Sequence, residues 1–211
     1  MTHVLSLADQ LADLRVVPVV VLDRADDAAP LADALAGGGI GCMEITFRTA
    51  AAADAIALVA GRDDVVVGAG TVTTAAQAVT AIDAGSRFIV SPGFDDGVAV
   101  VCRERGVAYL PGVATATEIM RARAAGVAVL KLFPAEAIGG LATLKALAAP
   151  FPDVRFVPTG GVDEARAAEY LAHPAVLAVG GSWMVPRDAV NAGEWARVKE
   201  LARGAAKFRE S

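Results

Sequence analysis

Apolar runs rich in β-branched residues alternate with Ala-rich stretches of helical spacing along the whole chain. The runs are Val16–Leu22, Cys42–Thr46, Val65–Ala69, Phe88–Ser91, Ala108–Pro111, Ala128–Phe133, Arg155–Pro158 and Leu177–Gly181, eight in all. Between them the pattern predicts helices over Ala28–Leu35, Ala51–Ala60, Ala75–Ala84, Gly97–Arg105, Ala116–Ala124, Leu141–Ala148 and Glu164–Leu171, and a last one around Glu194–Lys207. A short, continuously apolar run fits a strand buried on both faces, as in parallel sheets covered by helices. Strict strand–helix alternation implies βαβ units. Eight of them predict a (β/α)8 TIM barrel at the short end of the size range. An open doubly wound sheet is the competing topology. It calls for a Gly-rich dinucleotide loop after the first strand, and none follows Val16–Leu22. Gly37-Gly38-Gly39 reads as a helix stop. Ser6–Leu14, with Asp9 and Asp13 among apolar positions, predicts an extra N-terminal helix at the barrel bottom rather than a signal peptide. No linker or low-complexity segment interrupts the pattern, so residues 1–211 are expected to form one α/β domain.

Composition agrees with a packed fold: 211 residues, 55% hydrophobic, 20% charged and 5% aromatic. The net charge of −5 and the lack of a basic stripe or stacking aromatics argue against a nucleic-acid partner. The longest apolar runs are far below the ~20 residues of a membrane span. The two cysteines, Cys42 and Cys102, fit no metal or redox spacing. They are expected to be buried thiols in a reducing cytoplasm.

In such a barrel the chemistry gathers at the C-terminal ends of the strands. There the sequence places Glu44-Ile45-Thr46-Phe47-Arg48, Gly68-Ala69-Gly70-Thr71, Ser91-Pro92-Gly93, Pro111-Gly112, Lys131-Leu132-Phe133-Pro134-Ala135-Glu136, Pro158-Thr159-Gly160-Gly161 and Gly180-Gly181-Ser182. Lys131 stands out as the cation of an otherwise apolar strand, whereas Lys145, Lys199 and Lys207 fall in helical segments. Desolvation favours a neutral amine, the nucleophile that carbinolamine and imine formation require. The competing reading is a structural lysine paired with an acid, or one that snorkels outward. Glu44 lies in another apolar strand, and alternation puts Glu44, Thr46 and Arg48 on one side. Glu44 is therefore a candidate proton carrier beside Lys131, and Arg48 a candidate clamp for a substrate carboxylate. A plain ion pair involving Glu44 remains the alternative. Paired glycines beside Thr159 and Ser182, in the loops after the seventh and eighth strands, suit a phosphate site. Tight turns alone would also use them. Thr71 and Pro92-Gly93 fit the keto-acid end, where turn chemistry is the other explanation. His3 and His173, the only histidines, cannot supply a metal set or a triad at the strand ends. No metal and no cofactor are expected.

The segments Met43–Thr49, Gly68–Val72, Ser91–Gly93, Lys131–Glu136, Pro158–Gly161 and Gly181–Trp183 together resemble the 2-keto-3-deoxy-6-phosphogluconate and 4-hydroxy-2-oxoglutarate aldolases of class I. The resemblance runs in order over nearly the whole chain. Lys-x-Phe-Pro-Ala-Glu is its most specific part. It implies that Lys131 is the Schiff-base lysine and Glu44 the general acid/base. It implies that Arg48, Thr71 and Phe133 contact the pyruvate part, and that Gly160, Gly161 and Ser182 hold a phosphate. The implied partner is a small phosphorylated 2-keto acid, cleaved reversibly to pyruvate and glyceraldehyde 3-phosphate. The implied assembly is a homotrimer serving bacterial sugar-acid catabolism of the Entner-Doudoroff type. Ile138 departs from the Asn or Ser common after Pro-Ala-Glu. The galactonate epimer and unphosphorylated 4-hydroxy-2-oxoglutarate are alternative substrates. A barrel binding a phosphometabolite without covalent chemistry is the alternative from another class, and it leaves Lys131 unexplained.

Overall fold

The computed structural model describes residues 7–210. Its strands are β1 (Val16–Val20), β2 (Cys42–Thr46), β3 (Val66–Gly70), β4 (Phe88–Val90), β5 (Ala108–Leu110), β6 (Gly112–Val113), β7 (Val129–Leu132), β8 (Arg155–Phe156) and β9 (Val179–Gly181). The helices are α1 (Leu7–Leu14), α2 (Ala28–Gly37), α3 (Ala52–Val59), α4 (Ala75–Asp83), α5 (Asp96–Arg105), α6 (Ala116–Ala124), α7 (Gly140–Ala148), α8 (Glu164–Leu171), α9 (Arg187–Asn191) and α10 (Trp195–Ala206).

All strand pairs are parallel, and the sheet order is β5-β4-β3-β2-β1-β9 with a second sheet β6-β7-β8. From β5 to β1 the order never reverses, so there is no switch point of the doubly wound kind. The predicted run Ala108–Pro111 is β5, and Gly112–Val113 just beyond it forms β6; Pro111 between them has no N–H to give to a ladder. Hydrogen bonds join the two sheets at the other flank. Gly180 N–H donates to Pro158 O at 2.9 Å, and Phe156 N–H to Ala175 O at 2.7 Å. The result is a curled parallel sheet, wrapped in helices.

Several strands are shorter than their apolar runs. β8 keeps two residues of the predicted four, yet Val157 and Thr159 still donate to Leu130 and Leu132 of β7. Polar caps start the helices where predicted. Asp95 and Asp163 accept from Val98 N–H and Arg166 N–H, and Thr115 forms a reciprocal capping box with Glu118. Of the predicted N-terminal helix, Leu7–Leu14 is observed; Ser6 and His3 lie outside the described residues. Leu11 is buried, and the Arg15 guanidinium just past α1 donates to the carbonyls of Leu171 and Leu177. That ties α1 to the N-terminal side of β9, the end opposite the functional strand ends. Gly38 does more than stop α2. A Cβ there would lie 2.6 Å from Ala202 Cβ and 2.7 Å from Lys199 O, so the glycines let α10 pack against α2. Helix α9 was not predicted. Both cysteines are buried free thiols, and burial pushes them up to about 12 for Cys42 and about 11 for Cys102.

Candidate active site

Every residue of β2 is buried, including Glu44 at 2% exposure. Lys131 on β7 is 5% exposed. The two strands belong to different sheets, so their side chains meet across the interior, with Lys131 Nζ donating to Glu44 Oε1 at 3.3 Å. A buried pair of this kind pays heavily in lost hydration and is weak evidence of a stabilising role. It is good evidence that the chain has brought an amine and a carboxylate together out of water. Lys131 Nζ also sits 5.2 Å from the centre of the Phe133 ring.

Gly70 makes the pair possible. A Cβ on Gly70 would stand 2.1 Å from Glu44 Oε1, and Gly70 is the residue paired with Thr46 at the end of β3. Thr46, predicted on the same side as Glu44, is committed to structure: its hydroxyl donates to Val20 O at 2.8 Å. Next to Gly70, Thr71 holds φ at 59°, a left-handed conformation that a β-branched residue rarely adopts. Strain of this kind persists only where its surroundings impose it.

Lys131 lines a cavity of about 310 Å³, and Glu44 lies behind it, outside the lining. Lys131, Phe133 and Arg48 line one part of it, and Thr159, Gly160, Gly161, Gly181 and Ser182 line another. Arg48 is exposed and engages no carboxylate among the described residues. Thr71 and Pro92 are not among the lining residues; the Pro92 carbonyl instead lies against Gly112, where a Cβ would come within 2.0 Å of it. Thr159 is 5% exposed and fits because Gly180 has no side chain, since a Cβ there would lie 2.3 Å from Thr159 Oγ1. Gly160 and Gly161 hold φ at 100° and 78°, which only glycine adopts readily.

A network that sequence reasoning missed fixes the Thr159–Gly161 turn. Ala135 N–H donates to Thr159 O at 2.8 Å and Glu136 N–H to Gly160 O at 3.1 Å, so the loops after β7 and β8 are sewn together. Glu136 Oε1 then accepts from the Tyr170 hydroxyl at 2.7 Å, and Oε2 pairs with Arg166, both on α8. Burial raises the Tyr170 phenol well above its usual range, and the Glu136 carboxylate adds to the shift. The only sequence signal was the acid of Lys-x-Phe-Pro-Ala-Glu. Gly70 was visible too, but as a strand end rather than as space for a carboxylate. Arg187, a further cation on the cavity wall, gave no signal because it follows an unpredicted turn. Among the described residues no three His, Cys, Asp or Glu side chains gather, and His173 Nδ1 accepts from Ala175 N–H at 3.2 Å.

Chemically, a buried amine can add to a carbonyl here, a carboxylate beside it can carry protons, and cations with backbone N–H groups can hold anions at two ends. A buried lysine and a carboxylate facing each other inside a parallel α/β fold fit an enzyme of the aldolase class. The chain belongs to the KDPG and KHG aldolase family, whose model matches residues 7–201. A 2-dehydro-3-deoxy-phosphogluconate aldolase of Treponema pallidum (strain Nichols) is 52% identical over 200 residues, covering 94% of this chain and 95% of the relative. A KDPG aldolase of Legionella pneumophila, solved with pyruvate captured as a covalent carbinolamine, superposes with a TM-score of 0.90 at 39% identity, covering 94% of this chain and 97% of that one. The 2-keto-3-deoxy-6-phosphogluconate aldolase of Zymomonas mobilis ZM4, solved with 3-phosphoglycerate, gives 0.88 at 41% identity, covering 95% of each chain.

Proposed function

We propose that this chain is a class I aldolase that reversibly cleaves 2-keto-3-deoxy-6-phosphogluconate to pyruvate and glyceraldehyde 3-phosphate. The observation that carries the reading is the Lys131–Glu44 pair, 3.3 Å apart, with Lys131 on the wall of a cavity that Arg48, the Gly160-Gly161 turn and Ser182 also line. In this mechanism the Lys131 ammonium passes a proton to Glu44, and the resulting neutral amine attacks the substrate's keto carbon. Glu44 delivers the proton that lets the carbinolamine hydroxyl leave as water, giving an iminium. The Glu44 carboxylate then takes the proton of the C4 hydroxyl. The C3–C4 bond breaks, its electron pair enters the iminium as an enamine, and the aldehyde departs. Protonation of the enamine at C3 and addition of water release pyruvate and restore the amine. Arg48 holds the substrate carboxylate and Phe133 shapes that end; Thr71 and Pro92, which do not line the cavity, act only by fixing the strand ends around it. Thr159 faces the middle of the substrate, and Gly160, Gly161, Gly181 and Ser182 receive the phosphate.

The test is borohydride reduction in the presence of pyruvate, followed by peptide mass spectrometry. A reduced adduct on Lys131 is expected; none on the folded protein overturns the covalent reading and favours a non-covalent phosphometabolite-binding barrel. Steady-state comparison with 4-hydroxy-2-oxoglutarate and the galactonate epimer then tests the substrate. A kcat/KM for phosphogluconate below that for 4-hydroxy-2-oxoglutarate rejects the phosphorylated preference.

The same reading takes residues 1–211 as one domain and the strands as a closed (β/α)8 barrel. The bonds between Gly180 and Pro158, and between Lys131 N–H and Pro111 O at 2.9 Å, support closure. It takes the enzyme as a homotrimer of the cytoplasm. Two free buried thiols suit a reducing compartment, and Leu58 and Met120 are large apolar side chains left exposed on α3 and α6. No helix among the described residues is long and apolar enough to cross a membrane.

A further inference from the structure

The cavity wall carries Arg48, Lys131 and Arg187, and no carboxylate is among its lining residues. In the function proposed above, Lys131 is committed to the keto carbon and Arg48 to the substrate carboxylate. The groups set out for the phosphate (Gly160, Gly161, Gly181, Ser182) supply N–H and O–H donors but no net charge. A phosphate ester carries close to two negative charges at neutral pH, so hydrogen bonds alone leave its charge unmatched.

Arg187 is the cation placed to match it. It stands five residues past Ser182, at the start of α9, and lines the same cavity as Gly161 and Ser182. Its guanidinium is held from one edge: Nη2 donates to Asp23 Oδ1 at 2.7 Å and Nε to Asp23 Oδ2 at 3.2 Å. Asp23 is itself fixed by Asn191, whose Nδ2 donates to Oδ2 at 2.8 Å. Asp23 follows β1, and β1 pairs with β9 in the register Pro18↔Gly181, which is why the two loops meet. Grip on the Nε–Nη2 edge leaves both N–H groups of Nη1 and the second of Nη2 as donors to a ligand. A guanidinium fixed on one edge and open on the other is pre-organised for an oxyanion.

We infer that Arg187, oriented by Asp23 and Asn191, is a specificity-determining residue that selects substrates ending in a phosphate over those ending in a carboxylate. This rests on the aldolase reading and deepens it. 4-Hydroxy-2-oxoglutarate is shorter and ends in a single charge, so it gains less from Arg187.

The experiment measures kcat/KM for 2-keto-3-deoxy-6-phosphogluconate and for 4-hydroxy-2-oxoglutarate in the unsubstituted protein, Arg187→Gln, Arg187→Lys and Asp23→Asn. Loss of a charge-assisted contact predicts that the ratio of the two falls about tenfold in Arg187→Gln, through KM of the phosphorylated substrate. Arg187→Lys recovers part of the ratio. Asp23→Asn breaks the same tie between α9 and the β1 loop but keeps the cation, so its ratio falls less than that of Arg187→Gln. An unchanged ratio in Arg187→Gln overturns the inference. So does an equal fall in Asp23→Asn and Arg187→Gln, which makes the pair a structural tie only. Titration with glycerol 3-phosphate, which has no carbonyl, gives a second readout independent of turnover. Binding about tenfold weaker in Arg187→Gln is expected, and equal binding overturns the proposal. If the unsubstituted protein turns over neither substrate and forms no pyruvate adduct, the aldolase reading fails, while the glycerol 3-phosphate titration still decides the role of Arg187.

Discussion

The two halves of the proposed site are built by opposite means. In the half assigned to the keto acid, the nucleophile and proton carrier are ionisable side chains sealed in the sheet interior, Glu44 at 2% and Lys131 at 5% exposure. Their positions are set by strand register, with Val19 and Gly68 flanking Glu44 and Gly112 flanking Lys131. In the half assigned to the phosphate, the groups are mostly backbone. Gly161 and Ser182 are exposed, and the turn's shape comes from left-handed glycines and from Glu136 clasping α8. Burial makes the first end chemically sharp and couples it to the stability of the whole fold. Exposure makes the second end adjustable, because changes there disturb little else. Substitutions at the two ends should therefore separate stability from specificity.

The largest effect belongs to Lys131→Met. Removal of the nucleophile closes the covalent route, so kcat is expected to fall at least ~10⁴-fold in a coupled pyruvate assay. The variant also strands the Glu44 carboxylate out of water, which destabilises by roughly 3 kcal/mol. For a chain of this length that is a Tm drop of about 6–12 °C by calorimetry. A Lys131→Met protein as stable as the parent would show that the pair was not holding a buried charge, and the contrast between the ends would lose its basis.

Gly70→Ala comes next, because its methyl occupies the space of Glu44 Oε1. Displacement of the proton carrier predicts a kcat about 10²-fold lower, within the usual worth of a positioned acid or base. Glu44→Asp in the same chain shortens the carboxylate by one methylene and should recover part of that loss. A double variant whose losses simply multiply would mean that the collision is not the cause.

Glu136→Gln probes the other end. The amide still accepts from Tyr170 but gives up the charge opposite Arg166, so the Thr159–Gly161 turn loosens without losing its backbone bonds. KM for the phosphorylated substrate is expected to rise about fivefold. Stability should fall by only about 1 kcal/mol, since the Arg166 side chain is half exposed. A fall in kcat as deep as that of Gly70→Ala would place Glu136 in the chemistry rather than in the positioning of the turn.

The same contrast explains what was legible in the sequence. Apolar runs report burial directly, so the strand–helix alternation was readable. An ionisable residue inside such a run is conspicuous, which is why Lys131 and Glu44 could be singled out before any coordinates. Contacts made through absence are not readable in that way. Gly70 and Gly180 look like any strand-end glycines, and only the distances from their missing Cβ atoms to Glu44 and Thr159 show that they are space. Contacts between polar side chains far apart in sequence were also invisible. Glu136 lies 34 residues from Tyr170, and Arg187 lies 164 from Asp23. Neither pairing has a periodicity to announce it, because loop geometry rather than strand register brings the partners together.

Ser182→Ala is the smallest of these changes and the cleanest comparison between the ends. Ser182 is exposed, and its hydroxyl makes no hydrogen bond among the described residues. Its removal therefore unpairs nothing in the free protein, and stability is expected to stay within ~0.5 kcal/mol. In the complex the hydroxyl is one of several donors to the phosphate, alongside the N–H groups of the two glycine turns. Loss of one hydrogen bond to a charged oxygen predicts a KM about threefold to tenfold higher for the phosphorylated substrate, with kcat moved less than KM. Calorimetry and steady-state kinetics on the same preparation check both halves. A Tm shift comparable to that of Lys131→Met would mean that the phosphate end is as tightly coupled to the fold as the keto-acid end. An unaltered KM would mean that the oxyanion sits on the backbone N–H groups and Arg187 without Ser182, which moves the recognition of phosphate toward α9.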